Sequence, residues 1–252
     1  MKTERKISKY FHELSERAYM RDIPVFSHFL TLNEQTILLQ HMPQLPLQGK
    51  LYGGAAYAER QLVGFFPDAF SAVMEDSAFP LTHLLVSPSN PRFAEELSHR
   101  DVLGACMNLG IKRETLGDIY TREKQAVIIA SERIAEVLQT DLTKIRHTTV
   151  SLIQIPKLPA EFIVKSSLDS ASVSSLRLDV FLAELFTMSR KAATDCVEEG
   201  RAMINSLPVY SKNYQMKTGD LLSVRGCGRI RFIETFGASK KGKIWIHFER
   251  FS

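Results

Sequence analysis

Ser189, Arg190 and Lys191 open a segment that reads as a short helix closed by Gly200, and basic residues recur after it at Arg201, Lys212, Lys217 and Arg225. A helix start leaves its first backbone N–H groups without intrahelical partners and carries the positive end of the helix dipole. Two cations beside those groups make a corner suited to a phosphate. The later cations flank short strands that can bring them to a common rim. The chemistry implied is capture of a polyanion.

Patterns that would carry catalysis fail on their context. Gly237, Gly242 and Lys243 in GASKKGKI have the spacing of a phosphate-binding loop, but Ile244 stands where a magnesium-holding Ser or Thr belongs. The following IWIHFERF alternates as a strand where such a loop requires a helix, so the segment reads as a basic hairpin tip. His99-Arg100-Asp101 matches the start of the protein-kinase catalytic loop, yet Asn108 is misplaced and neither a glycine-rich loop nor Asp-Phe-Gly occurs. The seven histidines show no paired ligand spacing, and His83 or His147 reads as a surface or core side chain. Cys106, Cys196 and Cys227 lie far apart without a CxxC pair, which points to reduced, structural thiols. No catalytic residue, metal site or cofactor is expected.

Charge is unevenly distributed. Residues 174–252 carry 13 Lys and Arg against 8 Asp and Glu, whereas residues 1–173 carry 19 against 20, so the net charge of +4 arises in the C-terminal third. From Arg201 onward the balance is 10 against 3, an asymmetry that marks a polyanion-binding surface. An anionic membrane surface would attract it too. However, no apolar stretch long enough to span a bilayer, no apolar signal core in MKTERKISKYF and no lipidation motif is visible, so a soluble cytosolic protein without membrane association is expected.

The elements that must position these groups suggest an α+β chain of three small domains. In an N-terminal α/β domain, residues 1–78, Ile7, Tyr10, Phe11 and Leu14 form the inner stripe of a first helix. Thr31 and Glu34 make a capping box for a second helix through Gln40. The segment LYGGAAYAERQLVGFFP suggests strands around a tight turn, and its Tyr57 and Arg60 are open to a functional or a packing role. A weak break lies near Asp76 to Pro80.

Residues 79–156 read as a strand at Thr82 to Val86, a helix at Arg100 to Leu109, a hairpin of Gly117 to Thr121 with Gln125 to Ala130, a helix begun by Ser131, and a strand at Thr148 to Ile155. This β-α-β-β-α-β order is the ferredoxin-like arrangement also used by RNA-recognition motifs. The base-stacking aromatics of such motifs are missing from HLLV and QAVIIA. RNA contact there would rest on Arg100, Lys112, Arg113 and backbone amides, with ordinary surface charge as the alternative. Residues 157–173, rich in Pro and Ser, read as a linker with room for one short strand. In residues 174–252, Leu178, Phe181, Leu182 and Leu185 give one helix its buried stripe, and Ala192, Ala193, Cys196 and Val197 form the inner face of the next.

This last block resembles the S4 domain, the small RNA-binding module of ribosomal protein S4, many pseudouridine synthases and bacterial tyrosyl-tRNA synthetases. The residues that carry the likeness are Arg177-Leu178-Asp179, Ser189-Arg190, Gly200-Arg201, Asn205, Gly219-Asp220 and Val224-Arg225; Ser206 and Ala202 depart from the usual Gly and Val. The resemblance implies an S4 domain with a β extension, with RNA contacts from Arg177, Ser189, Arg190, Lys191, Thr194, Arg201, Lys212, Lys217, Arg225, Arg229, Arg231, Lys240, Lys241 and Lys243.

Over almost its full length the chain resembles the YlmH-type S4 proteins of bacteria. The likeness rests on Gly53-Gly54 with Ala58-Glu59-Arg60, His99-Arg100-Asp101-Val102-Leu103-Gly104, Leu109-Gly110-Ile111-Lys112-Arg113, Gly117-Asp118-Ile119, Val150-Ser151-Leu152, Ser174 to Asp179, Ser223 to Gly226 and Ser239 to Lys243. It implies a non-enzymatic RNA binder on the large ribosomal subunit that contacts rRNA, tRNA or both and handles stalled peptidyl-tRNA in ribosome-associated quality control; a monomer is expected, though the sequence leaves the oligomeric state open. An RNA-modifying enzyme delivered by an S4 module and a cell-division scaffold are the alternatives. A synthase domain normally follows an S4 module, and here that block ends the sequence.

Overall fold

A computed structural model describes residues 2–56, 58–68, 76–163, 166–205, 207–224, 226–238 and 242–251. Tyr57, Ser206, Arg225, Ser239, Lys240 and Lys241 lie outside the described residues. The chain divides into two compact units, residues 1–163 and 164–252, where the sequence reading expects three domains. Among the described residues no helix is long and apolar enough to cross a membrane.

The first unit opens with α1 (Lys2–Arg21), β1 (Val25–Phe26), α2 (Leu32–His41), β2 (Gly49–Tyr52) and β3 (Leu62–Phe65). Phe11 and Leu14 are buried as the helical stripe requires, and Ile7 and Tyr10 pack partly buried beside them. The Thr31–Glu34 capping box is formed: Glu34 N–H donates to Thr31 Oγ1 at 3.3 Å and Thr31 N–H to the Glu34 carboxylate at 2.8 Å. The hydrogen bond from His28 and the Thr31 donors hold that carboxyl down at about 2 against the cost of burial. The three strands form an antiparallel sheet in the order β1-β3-β2. Between β2 and β3 stands the loop 53–61 in place of the expected tight turn. It folds back on itself, so that a Cβ on Gly53 would come within 2.5 Å of both Ala58 Cβ and the Arg60 carbonyl oxygen.

β4 (Leu81–Pro88), α3 (His99–Asn108), β5 (Leu116–Arg122), β6 (Gln125–Ser131), α4 (Glu132–Asp141), β7 (Lys144–Ile145) and β8 (Thr148–Ile155) follow in the β-α-β-β-α-β order read from the sequence, with β7 added as a short hairpin arm. They make an antiparallel sheet ordered β5-β6-β4-β8-β7. One face, through Leu84, Val86, Ala126, Ile128 and Ala130, packs on Val102 and Cys106 of α3 and Leu138 of α4. The other face is covered as well. Ile129 packs with Phe29, Leu62, Phe66 and Phe79, and Val127 packs with Leu158 and Phe162. A strand covered on both faces needs no polar alternation, which is why Ala126 to Ala130 are all 0% exposed. Phe79 belongs to this shared core, so the break expected near Asp76 to Pro80 is not a boundary.

A polar junction reinforces the apolar one. Backbone N–H groups of Glu59 and Arg60 donate to the two carboxylate oxygens of Asp118 at 2.6 and 3.2 Å. The Arg60 guanidinium donates to the carbonyls of Leu116 at 3.0 Å and Phe29 at 2.8 Å. His83 Nε2 lies 2.6 Å from the Gly54 carbonyl, an acceptor, so that nitrogen carries the proton. Gly54 has φ +84, and a Cβ there would stand 3.0 to 3.2 Å from His83 and Ile129. Arg60 is thereby assigned a packing role.

The second unit consists of β9 (Ser166–Val173), α5 (Leu178–Leu185), α6 (Arg190–Glu198), β10 (Ala202–Ile204), β11 (Leu207–Pro208), β12 (Leu221–Val224), β13 (Gly228–Ala238) and β14 (Ile244–Phe251). The sheet order is β11-β10-β12-β13-β14-β9. The boundary between the two units falls inside the expected linker, residues 157–173, but the last eight residues of that stretch form a full strand: all of β9 pairs with β14, from Val173 opposite Ile244 to Ser166 opposite Phe251. Its serines read as flexible because they alternate with few large apolar residues, yet a sheet edge places little demand on packing. Residues 160–162 form a short 3-10 helix whose Phe162 is buried in the first unit. In α6, Ala193, Cys196 and Val197 are buried as expected, whereas Ala192 is exposed. Leu178, Phe181, Leu182 and Leu185 meet them over Ile230, Phe232, Ile246 and Phe248, with Phe181 edge-on to Phe232 at 5.3 Å.

Two outcomes are expected at the Asp118 junction. Asp118→Ala leaves the donors of Glu59 and Arg60 without their acceptor and lowers the unfolding free energy by about 3 kcal/mol in urea titrations followed by circular dichroism. Burial pushes the Asp118 carboxyl up to about 6, against the pull of the Arg60 N–H and the Arg113 and Arg60 charges. The folded chain therefore holds this proton more tightly than the unfolded chain. Its stabilising contribution is complete below about pH 4, the ordinary carboxylate range, and is lost as the pH rises through about 6. Wild type should lose stability relative to Asp118→Asn across that window; parallel pH profiles would contradict the assignment.

Candidate nucleic-acid interface

The helical corner between α5 and α6 is built by local geometry. α5 ends at Phe186, and Thr187 takes φ +54, a left-handed conformation that a β-branched residue rarely adopts. Met188 N–H returns to the Ala183 carbonyl at 3.1 Å, and Ser189 Oγ then accepts the Ala192 N–H at 3.1 Å. Arg190 and Lys191 follow in the first turn of α6, both exposed. No acidic residue stands in that turn. Thr194 donates its hydroxyl to the Arg190 carbonyl at 3.1 Å. The corner therefore offers two cations on a strained, capped support with the helix dipole behind them.

The other end of α6 is different. Gly200, φ +68, closes the helix with its N–H on the Val197 carbonyl while Arg201 N–H reaches the Cys196 carbonyl, each at 2.9 Å. Arg201 pairs with Glu199 at 2.6 Å and Lys212 with Glu198 at 3.8 Å. At 1.5 Å per residue, α6 separates these cations from Arg190 and Lys191 by roughly 13 Å. The expected common rim is thus two patches, and only the one at the start of α6 lacks an acidic neighbour in its own turn.

Arg177 is also committed: its guanidinium makes two bonds to the Asp179 carboxylate, at 3.0 and 2.8 Å, at the start of α5. Lys217 is exposed on the turn closed by Gly219, φ +89. That turn hangs on buried Asp220, which accepts from Lys217 N–H at 2.9 Å, the Tyr214 hydroxyl at 3.0 Å and Asn205 Nδ2 at 3.2 Å. Burial and the Asp220 charge push the Tyr214 hydroxyl up to about 12. Arg229 and Arg231 stand two residues apart on β13, outside the core formed by Ile230 and Phe232, and Arg231 lies 5.8 Å from the Phe251 ring. Lys243 is exposed just before β14.

In the first unit Arg100 is exposed at the start of α3, beside the Ser98–Asp101 capping box. Together with Lys144 and Arg146 it borders an open groove of about 680 Å³. Arg146, at φ +52 in the β7–β8 turn, lies 3.4 Å from Glu95 and 3.8 Å from Asp101. No sequence signal marks Arg146; only the fold brings it beside Glu95, Asp101 and Arg100. Lys112 is exposed.

Arg113 is not the surface contact expected. Its guanidinium donates to the Leu116 carbonyl at 2.8 Å and the Gly117 carbonyl at 2.9 Å, and burial beside Arg60 brings its pKa down to about 10. The missing base-stacking aromatics have a structural counterpart. The sheet face that would present them is occupied by Phe29, Leu62, Phe79, Leu158 and Phe162.

Residues 77–158, which span this sheet and its two helices, match a family model described as "Putative RNA-binding domain in YlmH". The chain is similar to the "Ribosome-associated protein quality control protein P2" of Bacillus subtilis (strain 168), at 33% identity over 229 residues, covering 88% of this chain and 85% of that protein. Among solved structures it is similar to "Cell division protein ylmH from Streptococcus pneumoniae", with a TM-score of 0.52 at 21% identity over 61% of this chain and 92% of the other, a likeness of fold. With a relative matched along nearly its whole length and the characteristic domain in place, the chain belongs to the YlmH family.

Proposed function

We propose that this protein is an RNA-binding factor without chemistry of its own, a cytosolic monomer that binds rRNA, tRNA or both on the large ribosomal subunit. Its task in this reading is ribosome-associated quality control of stalled peptidyl-tRNA. The observation that carries the proposal is the near full-length similarity to a protein whose name states ribosome-associated quality control. Residues 174–252 are read as an S4 domain, extended by β9. Support comes from the α5–α6 corner, the Gly200 stop, the Gly219-Asp220 turn and the exposed pair Arg190 and Lys191. The primary phosphate contact is assigned to that pair, with Lys217, Lys243 and the two β13 arginines as further cations, and Arg100 and Lys112 as contacts from the first unit.

Reversing the charge at the corner tests the assignment. Arg190→Glu with Lys191→Glu should remove most affinity for large ribosomal subunits in filter binding or sedimentation, while the thermal midpoint stays unchanged because both side chains are exposed. A folded double variant that binds as well as wild type would place the contact elsewhere. If about five cations neutralise phosphates, the slope of log K against log salt is about −3 to −5. A slope near zero points to a protein partner instead.

A further inference from the structure

We propose that the outer face of the β13–β14 hairpin is a stacking platform for unpaired bases of single-stranded RNA. Phe236 and His247 stack with ring centroids 4.0 Å apart at 12°, and Trp245 lies 6.2 Å from Phe236 at 37°. Phe236 and Trp245 nevertheless remain 48% and 38% exposed. The core takes Phe232, Ile246 and Phe248 from the same two strands, and the rings of Phe236, Trp245 and His247 are not among its residues.

Two irregularities in β13 produce the arrangement. The register shifts between Phe232 and Glu234 and again between Thr235 and Gly237. An extra residue in one strand re-aims its side chain. The second shift leaves Phe236 without a partner in the ladder, and its ring lies on His247. Gly237, directly opposite Trp245, has nothing within 4 Å of where its Cβ would be. The cross-strand side chain that would normally lie against the indole is therefore absent.

The occupant follows from chemistry. Flat, partly exposed rings accept any base by stacking, whereas paired bases keep their faces inside a duplex. Charge of both signs flanks the rings: Lys243 is exposed just ahead of Trp245, and Arg229, Arg231 and Arg250 share the two strands with Glu234 and Glu249. Glu234, the nearest acid across the hairpin, lies 3.1 Å from His247 Nδ1. The platform rests on the RNA-binding reading but is a different surface from the α6 corner, so an RNA could engage phosphates at one and a splayed base at the other.

Trp245 is the chain's one tryptophan, so its emission reports on this face directly. The full-length protein is titrated with a short single-stranded oligoadenylate and with an RNA duplex of equal length, each labelled for anisotropy. The single strand should quench Trp245, and the duplex should bind without quenching it. Phe236→Ala should weaken single-strand binding about tenfold and leave duplex binding unchanged, while Trp245→Phe, which keeps a ring, should stay within about twofold of wild type. Arg190→Glu with Lys191→Glu should weaken both RNAs yet preserve quenching at saturation. The platform is overturned if the single strand binds without altering Trp245 emission, or if Phe236→Ala weakens both RNAs equally. It is also overturned if emission changes with protein concentration alone, which assigns the face to a second copy of the chain. If neither RNA binds any form of the protein, the RNA-binding reading fails and the platform with it.

Discussion

The carboxylate of Asp118 sits beneath two backbone N–H groups of the loop 53–61, while Arg60 from the same loop reaches back to carbonyls on both sides of the junction. Once these groups are removed from water, each requires the other, since a buried acceptor or guanidinium without partners costs more than a hydrogen bond returns. The loop can deliver its donors only by folding tightly on itself, which Gly53 and Gly54 permit. Seating the loop then brings Phe29, Leu62 and Phe66 over Ile129. One residue pair thus fixes where the N-terminal sheet lies on the larger one, and determines that the larger sheet has no open face.

That covered face distinguishes this ferredoxin-like arrangement from one that reads bases on its strands. Its central strand is apolar on both sides, and Leu158 and Phe162 close what the N-terminal sheet leaves. What residues 77–158 leave open lies on helices, loops and strand ends, among them the groove bordered by Arg100, Lys144 and Arg146. In the second unit α5 and α6 cover one side of the sheet.

Much of this was legible because periodicity and capping are local. The stripe at Leu178, Phe181, Leu182 and Leu185, the Thr31–Glu34 box, the Ser189 cap and the Gly200 stop are each determined within a few residues, and each is found. What escaped depends on distant partners. Arg113 looks like any surface cation until Leu116 and Gly117 turn their carbonyls towards it. The serines of β9 carry no strand signal of their own, because the pairing that makes them a strand lies in β14. Arg190 and Arg201 appear neighbours in sequence spacing, and only the length of α6 separates them. The rings of Phe236 and His247 meet through a register shift that no alternation pattern announces.

The pairing of β9 with β14 also bears on how the second unit is made. β9 sits at the sheet edge and its neighbour is β14, so the first strand of this unit to be synthesised hydrogen-bonds to the last. Between them come both helices and every other strand. Contacts so distant in sequence are slow to form, because the intervening chain must be ordered before they gain anything. During translation, β9 leaves the exit tunnel with its donors and acceptors unmatched and waits until Phe251 has followed. A sparse, serine-rich strand suits that interval: it offers little apolar surface for premature association, and it joins the sheet when the rest of the unit is already in place.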